Sequence, residues 1–305
     1  MASQEVRERA LLSFPRRRES RKFKNFWTPA FAGVTTTGTS YDAVKFAEKK
    51  MGPKRFKLFH PEFLSKLFCW HPSSEMVVAL AAGGICVGLS LAMIPARNTP
   101  WLSIIIRDFG QILLGVLFPL AYIRLRGESF SDFGFSFRKW PLFLTINLIL
   151  GVFLLFMFLS ESPAPEGFGF ETGLLWRAAF VFCALFFELV FFYGFLRTLF
   201  ERSFGVLPAL VFTSLFYSFH HAGFQPEYGK LIFVGLMYAT VYRLGNSALL
   251  IFPFFLGVGG EYDVLIQSQV VSPILFPVAR TLYLFPLLLF LVFKLSSRRQ
   301  MPPGR

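Results

Sequence analysis

Apolar runs of about twenty residues recur along this chain, the length a helix needs to cross the hydrocarbon core of a bilayer. Lipid offers the backbone no hydrogen-bond partner, so each such run has to close its own bonds as a helix. Composition agrees: 54% of the 305 residues are hydrophobic and 16% charged, against about 25% charged in soluble domains. The expectation is an all-α, polytopic membrane protein. The 42 phenylalanines suit lipid-facing and helix-packing surfaces.

About eight spans are expected, over residues 76–96, 109–123 (from 102 at the longest), 140–160, 178–196, 206–219, 230–242, 248–258 and 274–293. The sixth and seventh are the weakest, short enough to be re-entrant. Residues 54–75 mix basic and bulky apolar side chains and read as an interfacial amphipathic segment. A transmembrane domain then occupies 76–294, and 295–305 form a basic tail.

Net charge is +13, unevenly spread. Residues 1–57 hold 14 Lys and Arg against 5 Asp and Glu. Anionic lipid at a cytoplasmic surface accounts for such a basic stretch without a nucleic-acid partner. The segment SFPRRRESRKFKNFWTPAFAGVTT, residues 13–36, resembles the translation of a dispersed bacterial DNA repeat. It lacks the continuous apolar stretch of a signal peptide. Residues 1–50 are therefore expected to be disordered and dispensable, with Met51 a candidate start. Cys69, Cys86 and Cys183 show no ligand spacing and read as reduced packing residues.

Loop charge orients the spans. Arg124, Arg126, Arg138 and Lys139 outnumber Glu128 and Asp132 in one loop. Arg197 and Arg202 mark a second, while Lys294, Arg298, Arg299 and Arg305 mark the tail. The alternate loops, 161–172 and 259–272, are acidic or neutral. By the positive-inside rule both termini are cytoplasmic, and a bacterial inner membrane is the expected setting.

Two features carry chemistry. Glu188 lies in AAFVFCALFFELVFFYGFL with no other charge between Arg177 and Arg197. An ionisable group in a span costs about 2.5–3.5 kcal/mol on insertion scales and marks a functional site by default. The next apolar run ends LFYSFHHAG, with His220 and His221. A carboxylate and an imidazole on neighbouring spans can activate a water. On a helix the two histidines lie about 100° apart, so only one of the pair, with His220 the better candidate, should face Glu188. His221 then reads as a span-end residue meeting water or headgroups. The structural alternative for Glu188 is a protonated side chain hydrogen-bonded between helices. Tyr193 is either an oxyanion or glutamate donor or a packing ring. Asn246 reads as a helix cap for the next span, Glu261 and Asp263 as solvated loop charges. Arg107, Asp108 and Arg280 read as structural pairs, Arg280 also as a contact for a substrate carboxylate.

ELVFFYGFL (188–196) resembles the first motif, EExxFRGxL, of the CPBP family, the type II CAAX prenyl endopeptidase and bacteriocin-processing group. FTSLFYSFHHAG (212–223) resembles its second motif, FxxxH, through Phe216 and His220. The likeness extends over 178–257. Leu189 stands at the family's second glutamate and Tyr193 at its arginine. Gly257 and Glu261 stand near the positions of its third histidine and its asparagine. The resemblance implies a CPBP-type bundle with an intramembrane cavity between spans four to seven. It implies an intramembrane endopeptidase acting on a membrane-embedded protein or peptide segment, with Glu188 as base and His220 orienting the water. Tyr193, His221 and Asn246 are the candidates to replace the absent oxyanion partners. That chemistry needs no cofactor. A zinc version would use Glu188, His220 and a third ligand that the sequence does not place. Two rivals are a non-catalytic immunity or partner protein on the same scaffold and a proton-coupled transporter, the latter without the repeat symmetry many carriers show.

The orientation is testable. A cysteine placed at Glu166 should be labelled by an impermeant reagent from outside the cytoplasm. Labelling from the cytoplasmic side would overturn the topology.

Overall fold

Small residues set the first helix. Ala79, Gly83, Cys86 and Ser90 recur every three or four positions and are buried along one stripe of α1 (Ser74–Ala96). Without a hydrophobic drive between apolar helices in lipid, such stripes allow the close backbone approach that packing needs. Ser73 caps the helix, its hydroxyl accepting from the Met76 amide, and Glu75 complements the first turn. The opposite face exposes Val77, Ile85 and Leu91.

The computed structural model describes residues 65–136, 140–161, 172–225, 227–247, 251, 252, 254 and 274–296. All belong to one compact unit spanning 59–305. The repeat-like segment at 13–36, residues 54–64 of the expected interfacial segment, Glu261 and Asp263 lie outside the described residues. Six more helices follow α1: α2 (Pro100–Leu125), α3 (Trp140–Glu161), α4 (Thr172–Phe204), α5 (Val206–Phe219), α6 (Tyr228–Gly245) and α7 (Pro277–Ser296). The described residues contain no strand. The helix α4 is the hub, touching α1, α2, α5, α6 and α7. The outer face of α3 presents Ile149, Val152, Phe153 and Phe156 outward, an apolar surface that suits lipid.

Among the described residues, four helices are long and apolar enough to cross a membrane: α1, α2, α4 and residues Pro277–Leu295 of α7. The eight expected spans are therefore not all of spanning length. The fourteen residues of α5 rise only about 21 Å, short of the hydrocarbon thickness of about 30 Å. Basic residues, Lys230 and Arg243, sit near both ends of α6. Most of 248–258 lies outside the described residues. Conversely, α4 runs 33 residues, about 50 Å, and absorbs the expected loop 197–205. Arg197 is not a solvated loop cation. It is 3% exposed, paired with Glu201, its guanidinium 4.7 Å from the Tyr242 ring centroid. Arg243 Nε donates to Glu201 Oε1 at 2.9 Å, tying α6 to α4.

Gly205 separates α4 from α5. Its φ is +84°, and an added Cβ would lie 2.7 Å from the Leu67 carbonyl oxygen, so glycine is required there. The preceding strand of chain runs against the same end, where the Cys69 and His71 amides donate to the Phe204 and Ser203 carbonyls. These bonds satisfy acceptors a helix terminus leaves open.

Two wide, π-wound stretches interrupt the regular helices, Ile105–Leu113 in α2 and Leu189–Leu196 in α4. Such windings recur at functional sites. The first carries Asp108, fully buried and held by Arg280 of α7 through Nε at 2.7 Å and Nη2 on the second oxygen, with the Tyr283 hydroxyl also donating. The expected structural pair is thus Asp108–Arg280, which leaves Arg280 occupied rather than waiting for a substrate carboxylate. Removing one member of a buried ion pair costs about 3–5 kcal/mol, whereas apolar replacement of both is often near neutral. Asp108→Leu alone should therefore lower the thermal midpoint of the detergent-solubilised protein strongly. Adding Arg280→Met should restore most of it. Equal midpoints for wild type and Asp108→Leu would contradict this role.

Candidate functional site: a buried carboxylate and two imidazoles

Glu188 stands midway along α4, where regular α-winding over Thr172–Glu188 passes into the π-wound stretch. It is 6% exposed. Against it lies the end of α5. Regular helix stops at Phe219, and His220 has φ −68° and ψ −12° with its amide bonded to the Phe216 carbonyl. The chain then turns, the His221 amide donating to Ser218 O and the Gln225 amide to His221 O. Because the helix does not continue through His221, the 100° rule fails and both rings face the same way. This corrects the expectation that one histidine of the pair would face Glu188.

Both imidazoles converge on one backbone oxygen. His220 Nδ1 lies 2.5 Å and His221 Nδ1 2.8 Å from the Tyr217 carbonyl. A carbonyl oxygen can only accept, so both Nδ1 atoms carry the hydrogen. In the neutral tautomers each Nε2 then offers a lone pair. His220 Nε2 is 3.3 Å and His221 Nε2 3.8 Å from the same Glu188 Oε1. Three electron-pair donors thus point at one spot. That arrangement calls for a hydrogen-bond donor or a cation among them. Glu188 Oε2 is buried and has no hydrogen-bond partner among the described residues.

Rings close the site. The Phe192 centroid lies 4.5 Å from that of His220, and Phe224 lies 4.9 Å from His221. Phe187 also packs on His220, at 6.1 Å. The Arg107 guanidinium sits 4.5 Å from the Phe224 centroid, placing a cation one ring away from the imidazoles. His220 and His221 are 1% and 5% exposed. Two open grooves, of about 480 Å³ beside Ala178, Phe182 and Phe285 and about 610 Å³ along Leu148, Val152 and Phe156, reach none of the three site residues. Where a cavity is expected between spans four to seven, the described residues place packed aromatic rings.

The loop carrying the histidines is anchored on α1. The Gly223 amide donates to Ser90 Oγ at 2.9 Å, and Arg97 Nη2 donates to the Gly223 carbonyl at 3.1 Å. A Cβ on Gly223 would fall 2.2 Å from the Ser90 carbonyl oxygen.

Tyr193 is fully buried in α4 and its ring packs against Tyr217 and Tyr238. Asn246 is exposed and ends α6 in the left-handed conformation, φ 48°, its amide donating to Tyr242 O at 2.7 Å. It is a C-terminal cap of the preceding helix, where an N-terminal cap of the following one was expected. Phe216 is a packing residue, stacked on Phe200 at 5.7 Å. Gly257 lies outside the described residues. Sequence reasoning undervalued His221 and missed the Tyr217 carbonyl and Arg107. The available signal was the Ala222–Gly223 pair after His221, since glycine commonly follows a helix end.

No family model, no curated protein and no solved structure matches this chain. Fold and site define it as an all-helical protein compatible with a membrane setting, built around a buried Glu–His–His cluster.

Burial gives a direct check. Diethyl pyrocarbonate should modify the exposed His71 in the folded protein and reach His220 and His221 only after denaturation. Modification of all three at one rate would contradict the closed site.

Proposed function

We propose that the protein is an intramembrane endopeptidase, in which Glu188 and His220 activate a water that hydrolyses a peptide bond in the membrane-proximal segment of a protein substrate. The supporting observation is the approach of Glu188 Oε1 to His220 Nε2, 3.3 Å apart in apolar surroundings. The resemblance of 188–196 and 212–223 to the two CPBP motifs supports the same reading.

A water between the two groups donates one hydrogen toward Glu188 and the other toward the His220 Nε2 lone pair. Glu188 takes the first proton as the water oxygen adds to the substrate carbonyl. The tetrahedral adduct collapses with cleavage of the C–N bond. The same proton passes from Glu188 to the departing nitrogen, giving a carboxyl and an amine terminus. Gly257 and Glu261 stand near the positions of the family's oxyanion partners, and a rate cost of about 10²–10³ per missing donor is expected unless Tyr193, His221 or Asn246 substitutes.

The topology that goes with this reading has about eight membrane segments, some shorter than a full span. Both termini lie on the cytoplasmic face of a bacterial inner membrane. Ring closure over the site favours one rival, a non-catalytic partner protein on the same scaffold, because a substrate must displace Phe192 or Phe224 to reach Glu188.

The test compares membrane proteomes from cells carrying wild type, Glu188→Gln and His220→Ala at equal abundance. The expected outcome is one or more proteins that keep an uncleaved terminal segment in both variants. Unchanged termini throughout, with a phenotype confined to deletion of the whole protein, would select the non-catalytic reading.

A further inference from the structure

We propose that Glu188, His220 and His221 form a three-ligand site for a divalent transition-metal ion of the zinc type, bound through Glu188 Oε1 and the two Nε2 atoms. The inference goes beyond the proposed reaction and does not depend on which bond is cleaved.

Geometry comes first. The three ligand atoms lie within 4.8 Å of one another. Ligands about 2.0–2.1 Å from a tetrahedral centre stand about 3.3–3.5 Å apart. The Glu188–His220 edge is 3.3 Å and the Glu188–His221 edge 3.8 Å, so both edges to the carboxylate lie within a few tenths of an ångström of that spacing.

Protonation state is the second argument. The Tyr217 carbonyl holds a hydrogen on both Nδ1 atoms and so leaves both Nε2 atoms bare. Metal-bound histidines commonly donate their other ring N–H to a backbone carbonyl, which fixes tautomer and ring plane. A single proton on Glu188 can bridge to one Nε2 and leaves the other lone pair facing oxygen. A cation satisfies all three donors at once.

Ligand chemistry then selects the ion. Two imidazoles and one carboxylate suit zinc or a neighbouring first-row ion, whereas magnesium and calcium take oxygen sets. Two histidines and one glutamate are also a known catalytic zinc set, with a fourth position left for water. The histidine loop is held in place beforehand by the Ser90 and Arg97 bonds to Gly223. With such an ion bound, the metal would lower the pKa of its water and Glu188 would serve as a ligand, replacing the base role assigned to it above.

The test uses the full chain purified in detergent. Zinc content is measured by elemental analysis. Metal-free protein is then titrated with Co²⁺ and followed by the visible absorption of a tetrahedral site. Wild type should hold about one metal per chain, with affinity falling more than about tenfold in His220→Ala and His221→Ala. His71→Ala should bind like wild type. His221→Cys keeps a ligand and should restore binding with a new sulfur-to-cobalt charge-transfer band, which separates ligand loss from misfolding. Wild type that binds Co²⁺ no more tightly than His221→Ala, with no tetrahedral spectrum, would overturn the site. Metal content and spectrum are read without substrate, so this result stands or falls separately from the proteolysis assigned above.

Discussion

Everything at the centre of this protein depends on one backbone oxygen accepting two hydrogen bonds. The Tyr217 carbonyl takes Nδ1–H from both His220 and His221. Regular helix stops at Phe219, and the His221 amide turns to the Ser218 carbonyl instead of continuing the helical ladder. The two bonds to the Tyr217 carbonyl fix both ring planes and both tautomers, and they turn two lone pairs onto Glu188. The termination of one helix thereby sets the chemistry of a residue on another.

The surrounding packing keeps that arrangement dry and rigid. Gly223 allows the histidine loop to lie against the backbone of α1, where a larger residue would meet the Ser90 carbonyl. Phe187, Phe192 and Phe224 close over the imidazoles. The buried charges elsewhere are compensated locally: Asp108 by Arg280, and Arg197 with Arg243 by Glu201. Of the two buried carboxylates among the described residues, Asp108 is held by an arginine, while the neighbours of Glu188 within 4 Å are two neutral-capable imidazoles. This contrast separates Glu188 from the scaffolding carboxylates.

Much of this was legible in the sequence. Helix α5 occupies the expected residues 206–219, and α1 begins two residues before the expected start. Glu188 and His220 were found from their isolation in apolar runs, a signal that survives without any knowledge of packing. What sequence could not supply was tertiary or terminal in origin. Arg197 looked like a loop cation because charge normally ends a span, yet pairing with Glu201 lets α4 run on through it. His221 was assigned to the span end because a helical period was carried past the residue where the helix stops. Asn246 was placed on the wrong side of its loop, since a left-handed asparagine can close one helix as readily as it precedes the next. The number of true spans depends on how short helices such as α5 sit in the bilayer, which apolar length alone does not decide.

The most direct measurement is ¹⁵N solid-state NMR of the histidine-labelled protein in bilayers, with the sole His–His pair assigning the two side chains. Both rings should show a protonated Nδ1 and a bare or metal-bound Nε2. A ring protonated at Nε2, or an imidazolium at either position, would contradict the convergence of lone pairs on Glu188.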